Sequence, residues 1–265
     1  MYDPHPTALT VAGSDSGGGA GIQADLKTFH QLGVYGTSVI TAVTAQNTLG
    51  VSAVHPIPLE TVRAQFDAVA EDLRPDAMKS GMLATAELVE AVADAVIRHG
   101  IDRYVLDPVM VATSGDRLLD RDAEASVRDR LLPLASLVTP NLHEAEILTG
   151  RPVGTEEQMK EAARALVDLG ASAALVKGGH LADDESVDIL WDGTRETVWR
   201  RARIATPHTH GTGCTLSAAI AAGLCHGQPL ADAVERALGF VARSIETARG
   251  RGRGRGPVNH FASPD

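Results

Sequence analysis

The sequence predicts an α/β fold: a mostly parallel central sheet flanked by helices on both faces. Short runs rich in Val, Ile, Leu and Thr alternate, almost to the end of the chain, with stretches whose apolar residues recur at helical spacing. The first strand is apolar but for Thr10, as suits a buried strand. No mid-chain linker or internal repeat interrupts the alternation. A length of 265 residues suits one large α/β domain, so a single domain is expected over 1–265.

The elements follow in order. Ala8 to Ala12 reads as a buried strand, followed by a glycine-rich loop. Ile22, Leu26 and Phe29 then follow helical spacing. Thr37 to Thr44 is rich in β-branched residues and reads as a strand, and Val51 to Pro56 as a short edge strand. The uncharged run Thr37 to Val54 is broken by Thr, Ser, Gln, Asn and Gly, so it predicts two buried strands and a turn rather than a membrane span. Val62, Phe66, Val69 and Leu73 mark an amphipathic helix. Asp76 to Ser80 reads as a strand, Glu87 to Arg98 as a helix closed by Gly100, and Arg103 to Asp107 as a strand stopped by Pro108.

The second half repeats the rhythm. A helix is expected over Asp122 to Leu132, a strand over Leu137 to Thr139, and a short helix from Leu142 to Gly150. Glu156 to Leu169 is a helix closed by Gly170, and Ala173 to Lys177 a strand. Val187 to Trp191 and Glu196 to Arg200 form a hairpin around Asp192-Gly193. Helices from Gly213 to Leu224 and Leu230 to Ala248 close the fold.

Composition narrows the partners. The formal charge of −10 repels phosphodiester backbones and anionic lipid, so neither nucleic acid nor membrane is expected. The apolar fraction of 44% supports a sizeable core, and with only 3% aromatic residues Val, Leu, Ile and Ala must fill it. The N-terminal Met1-Tyr2-Asp3-Pro4-His5 lacks the basic-then-apolar pattern of a secretory signal, which gives a cytoplasmic expectation. If Cys214 and Cys225 share one helix, their eleven-residue separation gives roughly 16 Å of rise, too far for a disulfide. No Cys/His spacing suggests a metal site.

In sheets of this kind ligands bind beyond the carboxyl ends of the strands. His210-Gly211-Thr212-Gly213-Cys214-Thr215 precedes an apolar helix, and the free N–H groups and dipole at such a start favour an anion. A helix start with small residues chosen for packing fits the same string. Gly13 to Gly21 joins a strand to a helix, but it lacks the Gly-Lys-Ser/Thr end of a P-loop, and Asp15 stands where a nucleophile elbow has serine. It reads either as a flexible loop or as one lying against a small substrate and carrying Asp25 toward it. Asp107-Pro108 puts a carboxylate at a strand end, suited to Mg²⁺ or acid–base work. Asn141 with Glu144 has the pattern of a capping box, which does not exclude a role at the site. Lys177-Gly178-Gly179 offers either a phosphate contact or a solvated lysine. His208 and His210 read as packing residues or as supports behind the site rather than as ligands, and the Gly250 to Gly256 stretch of alternating Gly and Arg as a mobile surface loop, with a lid or nucleotide contact as the lesser alternative.

Taken together, these strings resemble the hydroxymethylpyrimidine/phosphomethylpyrimidine kinases, which have the ribokinase-like fold. The resemblance rests on Ala12 to Asp25, Thr44-Ala45-Gln46-Asn47-Thr48, Asp107 to Ala112, Thr139-Pro140-Asn141 with Glu144, Val176 to His180, and His210 to Ala219. It runs from about Ala8 to Phe261. It implies ATP- and Mg²⁺-dependent phosphorylation of 4-amino-5-hydroxymethyl-2-methylpyrimidine and then of its monophosphate, and a homodimer. Carried over residue by residue, it implies that Gly13, Asp25, Gln46, Met82 and Val109 bind the pyrimidine. Gln46 would read the aminopyrimidine edge, and Met82 and Val109 would pack the ring. Asp107 and Glu144 would organise Mg²⁺, and Asn141, Lys177 and Thr212 would join them on the nucleotide. Gly211, Thr212, Gly213 and Cys214 would form the catalytic anion pocket.

Cys214 stands where many sugar kinases of this fold carry an aspartate base. A helix N-terminus lowers a thiol pKa, so Cys214 is either a base or a residue whose N–H matters more than its sulfur. A chemical role for the thiol predicts that Cys214→Ala loses most turnover and keeps pyrimidine binding. Two departures stand out: Thr113 in place of an expected lysine, and Arg in the C-terminal tract where relatives often have His. A pyridoxal-type vitamin kinase of the same fold is the second enzyme reading, and a catalytically dead ligand sensor a third. The retained Asp107, Glu144, Lys177 and Gly211 to Cys214 argue against the sensor.

Overall fold

The computed structural model describes residues 5–110, 121–179 and 185–264. One nine-stranded sheet runs through it, in the order β3-β2-β1-β4-β5-β6-β7-β8-β9. The parallel centre consists of β2 (Tyr35–Asn47), β1 (Thr7–Ser14), β4 (Ala77–Ser80), β5 (Tyr104–Leu106), β6 (Leu137–Val138) and β7 (Ala174–Lys177). Antiparallel strands β3 (Gly50–Pro56) on one edge and β8 (Glu185–Trp191) and β9 (Glu196–Ala202) on the other extend it.

Side-chain alternation explains why both faces need cover. Leu9, Val11, Met78, Leu106, Val138 and Val176 point into one apolar core. Ala8, Ala77, Val105, Leu137 and Leu175 point into the other. Helices α2 (Leu59–Asp72), α3 (Ala86–His99), α4 (Arg121–Ser126), α5 (Leu142–Thr149) and α6 (Glu156–Asp168) lie with the first core. Helices α1 (Gly21–Gln31), α7 (Thr212–Cys225) and α8 (Leu230–Glu246) close the second. The run Thr215 to Gly223 of α7 is buried all round, so α7 is an interior helix, its small side chains permitting close approach to the sheet and to α8.

The chain direction reverses at β1. From β1 it crosses over α1 to β2 on one side; from β4 it proceeds stepwise to β7 on the other. The loops after β1 and β4 therefore diverge, and such a switch point is where open α/β sheets bind ligands.

Three expectations change. The edge strand β3 is mostly exposed rather than buried. The helix expected to Leu132 is α-helical only to Ser126; it widens to a π turn over Val127–Leu131 and tightens to a 3₁₀ turn over Leu132–Leu134, where Pro133 lacks the N–H to continue an α ladder. The last helix ends at Glu246, not Ala248.

Candidate active site

The residues expected at the site come from strand ends, and the parallel centre brings those ends to one rim. Gln46 lies near the end of β2, Gly13 at the end of β1, Met82 just beyond β4, Asp107 and Val109 beyond β5, Asn141 beyond β6 and Lys177 at the end of β7. The N-terminus of α7 spans these loops. Its N-cap, Gly211, has φ of 83°, and a side chain there would overlap the Gly19 carbonyl oxygen of the β1 loop. Only glycine allows that conformation and that approach together.

The β1 loop is not flexible. Asp15 ties it, accepting hydrogen bonds from the N–H groups of Gly17, Gly19 and Ala20 at 2.8, 2.9 and 2.8 Å. His210 Nε2 lies 3.0 Å from the same carboxylate, and 3.4 Å from the Gln46 amide nitrogen. The Thr44 hydroxyl, hydrogen-bonded to the Ser14 carbonyl at 2.7 Å, faces the other end of that amide at 3.3 Å. His210 is thus a positioning residue for Gln46 as well as a packing residue. Burial raises the Asp15 pKa, but His210 and the three N–H groups outweigh it and hold the carboxyl below its ordinary range.

Beneath α7 lies a charged cluster. Asp25 and Lys79 are both fully buried and paired at 3.0 Å, and the Thr10 hydroxyl donates to Asp25 at 2.6 Å. Burial opposes the charge on Lys79, yet the Asp25 carboxylate outweighs it and holds the ammonium above the ordinary lysine range. Asp25 was expected beside the substrate's polar groups. Its carboxylate is instead enclosed and occupied by Lys79 and Thr10.

Cys214 is partly exposed as a residue, but its thiol faces this cluster and accepts from the Gly21 N–H. The expected lowering of its pKa does not occur. Burial pushes the thiol up to about 11, Lys79 pulls it back, and the carboxylates of Asp25 and Asp107 push it up again. Desolvation and two anions outweigh the helix terminus. In the first turn of α7, the Thr212 N–H and hydroxyl both fold back to the Thr209 carbonyl at 3.2 and 2.7 Å, and the Thr215 N–H bonds the Gly211 carbonyl. Among the described residues this leaves the Gly213 and Cys214 amides without a backbone acceptor, as helix geometry dictates.

The other end of the rim is anionic. Lys177 is neither free nor fully solvated: it pairs with the buried Asp107 at 3.2 Å. Asp107 also accepts from Thr139 at 3.4 Å and from Ser217 on α7 at 3.3 Å. A side chain at Gly213 would lie 3.5 Å from Lys177 Nζ and 3.8 Å from Asp107 Oδ2. The capping box is present: Asn141 accepts from the Glu144 N–H at 3.0 Å, and Glu144 accepts from the Asn141 N–H at 2.8 Å. Glu144 is buried, and burial pushes its pKa up to about 7, with Lys177 lowering it and Asp107 raising it. Asp107 and Glu144 present hard carboxylate oxygens beside one lysine, the donor type a hard divalent cation takes, although among the described residues no group of three or more His, Cys, Asp or Glu side chains is placed to hold a metal ion.

Sequence reasoning gave no role at the site to Lys79, Asp15, Thr10 or Ser217. Lys79 carried a readable signal: a lone lysine inside the strand Ala77–Ser80 must be buried and so must be paired. The Gly250 to Gly256 tract is not a mobile loop, since it bonds to Thr48. Thr113 and His180 lie outside the described residues.

Among the described residues no helix is long and apolar enough to cross a membrane. Residues 15–259 match the family model for phosphomethylpyrimidine kinase. A hydroxymethylpyrimidine/phosphomethylpyrimidine kinase of Rhizobium meliloti is 56% identical over 257 residues, covering 96% of each chain. A phosphomethylpyrimidine kinase from Clostridium difficile superposes with a TM-score of 0.82 at 40% identity, over 91% of this chain and 99% of that one. A pyridoxal kinase from Staphylococcus aureus, in complex with AMP-PCP and pyridoxal, superposes with a TM-score of 0.91 at 35% identity, over 98% and 95% of the two chains. With the family match over most of its length and the relatives' identity in agreement, the chain belongs to the phosphomethylpyrimidine kinase family.

Proposed function

We propose that this protein transfers the terminal phosphoryl group of ATP to the hydroxymethyl group of 4-amino-5-hydroxymethyl-2-methylpyrimidine, and then phosphorylates the monophosphate to the diphosphate, in thiamine biosynthesis. The observation that carries this reading is the meeting, across α7, of a neutral amide end at Gln46 and an ionic end at Asp107, Glu144 and Lys177.

Gln46 offers a donor and an acceptor to the aminopyrimidine edge, held by His210 and Thr44. Met82, whose methyl group would lie 2.7 Å from a side chain at Gly13, and Val109 pack the ring. The Gly213 and Cys214 amides receive the migrating phosphoryl group, where preorganised donors act most strongly. Thr212, with both polar groups turned to Thr209, shapes that turn. Cys214 supplies its amide rather than a base. With a pKa of about 11, roughly one thiol in three thousand is ionised near pH 7.5, and a loose phosphoryl-transfer transition state asks mainly for positioning and charge stabilisation. Asp107 and Glu144 would hold Mg²⁺, which would neutralise charge on the nucleotide phosphates. Lys177 balances Asp107 and reaches the same phosphates, with Asn141 capping α5 beneath them.

A single domain over 1–265 is supported by the continuity of the nine-stranded sheet. The cytoplasmic location and the homodimer belong to the same reading, and light scattering tests the latter. The activity itself is tested by mass detection of products from the pyrimidine, ATP and Mg²⁺, with pyridoxal in parallel. Mono- and diphosphate products, and a higher kcat/KM for the pyrimidine, are expected. A preference for pyridoxal would favour the vitamin-kinase reading, and no product from either would favour the sensor.

A further inference from the structure

The alternation of Arg249, Arg251, Arg253 and Arg255 with Gly250, Gly252, Gly254 and Gly256 has a structural cause. The glycines lie against the protein. A side chain at Gly252 or Gly254 would overlap Thr48, and one at Gly250 or Gly256 would come within 2.7 Å of the His208 ring. The Gly254 N–H donates to the Thr48 hydroxyl at 3.2 Å, the Arg255 N–H to the Thr48 carbonyl at 3.0 Å, and the His210 N–H to the Gly256 carbonyl at 3.2 Å. The tract is therefore a strap. One side is tied to the turn after β2, two residues from Gln46; the other is tied to the loop that delivers His210 and Gly211 to α7.

All four arginines are exposed. Four cations within seven residues on a chain of net charge −10 create a local field opposite to that of the rest of the surface. We propose that Arg251 and Arg253 form a phosphate-binding edge of the site, engaged by the phosphate monoester of the pyrimidine monophosphate in the second phosphorylation. The guanidinium fork suits a phosphate better than a point charge does. The glycines hold the backbone that carries both arginines against the turn after β2, and the unphosphorylated alcohol has nothing for a guanidinium fork to hold. This assignment rests on the function proposed above.

The test is the Arg251→Ser/Arg253→Ser double variant, in which both altered positions are exposed and the strapping glycines are kept. Steady-state constants for the alcohol, the monophosphate and ATP are measured at low and high ionic strength. Direct titration of the monophosphate without nucleotide gives a readout independent of turnover. The monophosphate KM and Kd are expected to rise about 5–10-fold at low salt, and the effect to shrink at about 0.5 M salt as screening shortens. The kcat, the KM for the alcohol and the KM for ATP should stay as they were. A rise in the KM for ATP with either pyrimidine would transfer the strap to the nucleotide and overturn the assignment, and so would constants and Kd that do not move. Loss of the function reading would show separately, as failure of the unaltered protein to phosphorylate the alcohol.

Discussion

Replacing Lys79 with Met removes one half of an ion pair whose side chains are both fully buried. Breaking such a pair costs about 3–5 kcal/mol, because the surviving charge is left without a partner. Here the surviving group can escape by taking a proton. Protonating Asp25 at pH 7 against an unfolded-state value of about 3.9 costs about 1.4 kcal/mol per unit, or about 4 kcal/mol, which caps the penalty. At pH 5 the cap falls to about 1.5 kcal/mol. The sign follows: in the variant the folded pKa of Asp25 lies above the unfolded one, so its stability is retained at low pH and lost as pH rises. For 265 residues the unfolding entropy is about 0.56 kcal/mol/K, so the loss at pH 7 is about 7 °C in Tm. Denaturant and thermal unfolding between pH 5 and 8 measure this. The Lys79→Met/Asp25→Asn double variant should recover most of the loss. A penalty below about 1 kcal/mol at pH 7, or one flat with pH, or a double variant equal to the sum of its singles, would refute the reasoning.

Further outcomes are expected. Gly211→Ala places a side chain against the Gly19 carbonyl at a φ of 83°; displacing that turn should cost about 100-fold in kcat, with far-UV circular dichroism unchanged. Cys214→Ser should keep turnover within about tenfold, and iodoacetamide labelling of Cys214 in the unaltered protein should rise toward pH 11 rather than level off below 8. A fall of about 10²–10⁴ in kcat, the worth of a general base, would reinstate a chemical role for the thiol. Burial, with Lys27 and His210 adding to it, pushes the His260 pKa down to about 4, and its Nε2 meets the Thr215 hydroxyl at 3.1 Å. The folded value lies below the unfolded one, so stability is full above about pH 6.5 and falls as pH drops toward 4. His260→Gln should flatten that part of the stability–pH curve.

The sheet was legible because its central strands are largely apolar on both faces, and the site because most of its polar motifs lie at or just beyond the ends of those strands, with His210 to Cys214 at the start of α7. What stayed hidden depended on pairing across the chain. The two readings of the thiol at Cys214 could not be separated from its position at a helix start alone. Burial of the thiol decides it, with the Asp25 and Asp107 carboxylates from distant parts of the chain pushing the same way and Lys79 pulling against them. Asp15 looked like one polar residue in a loose loop, yet its partners include His210, 195 positions away. The Arg-Gly tract has the composition of a mobile segment. Only the proximity of Thr48 and His208 gives each glycine a reason to be there.

The central claim is spatial: distant segments converge so that the Gly213 and Cys214 amides face a phosphoryl group held between Gln46 and the Asp107–Lys177 pair. A crystal structure with the pyrimidine, AMP-PCP and Mg²⁺ tests it most directly. The terminal phosphate should lie within hydrogen-bond distance of those two amides, and the pyrimidine amino group on the Gln46 side chain. A terminal phosphate bound away from the start of α7, or a pyrimidine that leaves Gln46 untouched, would contradict it.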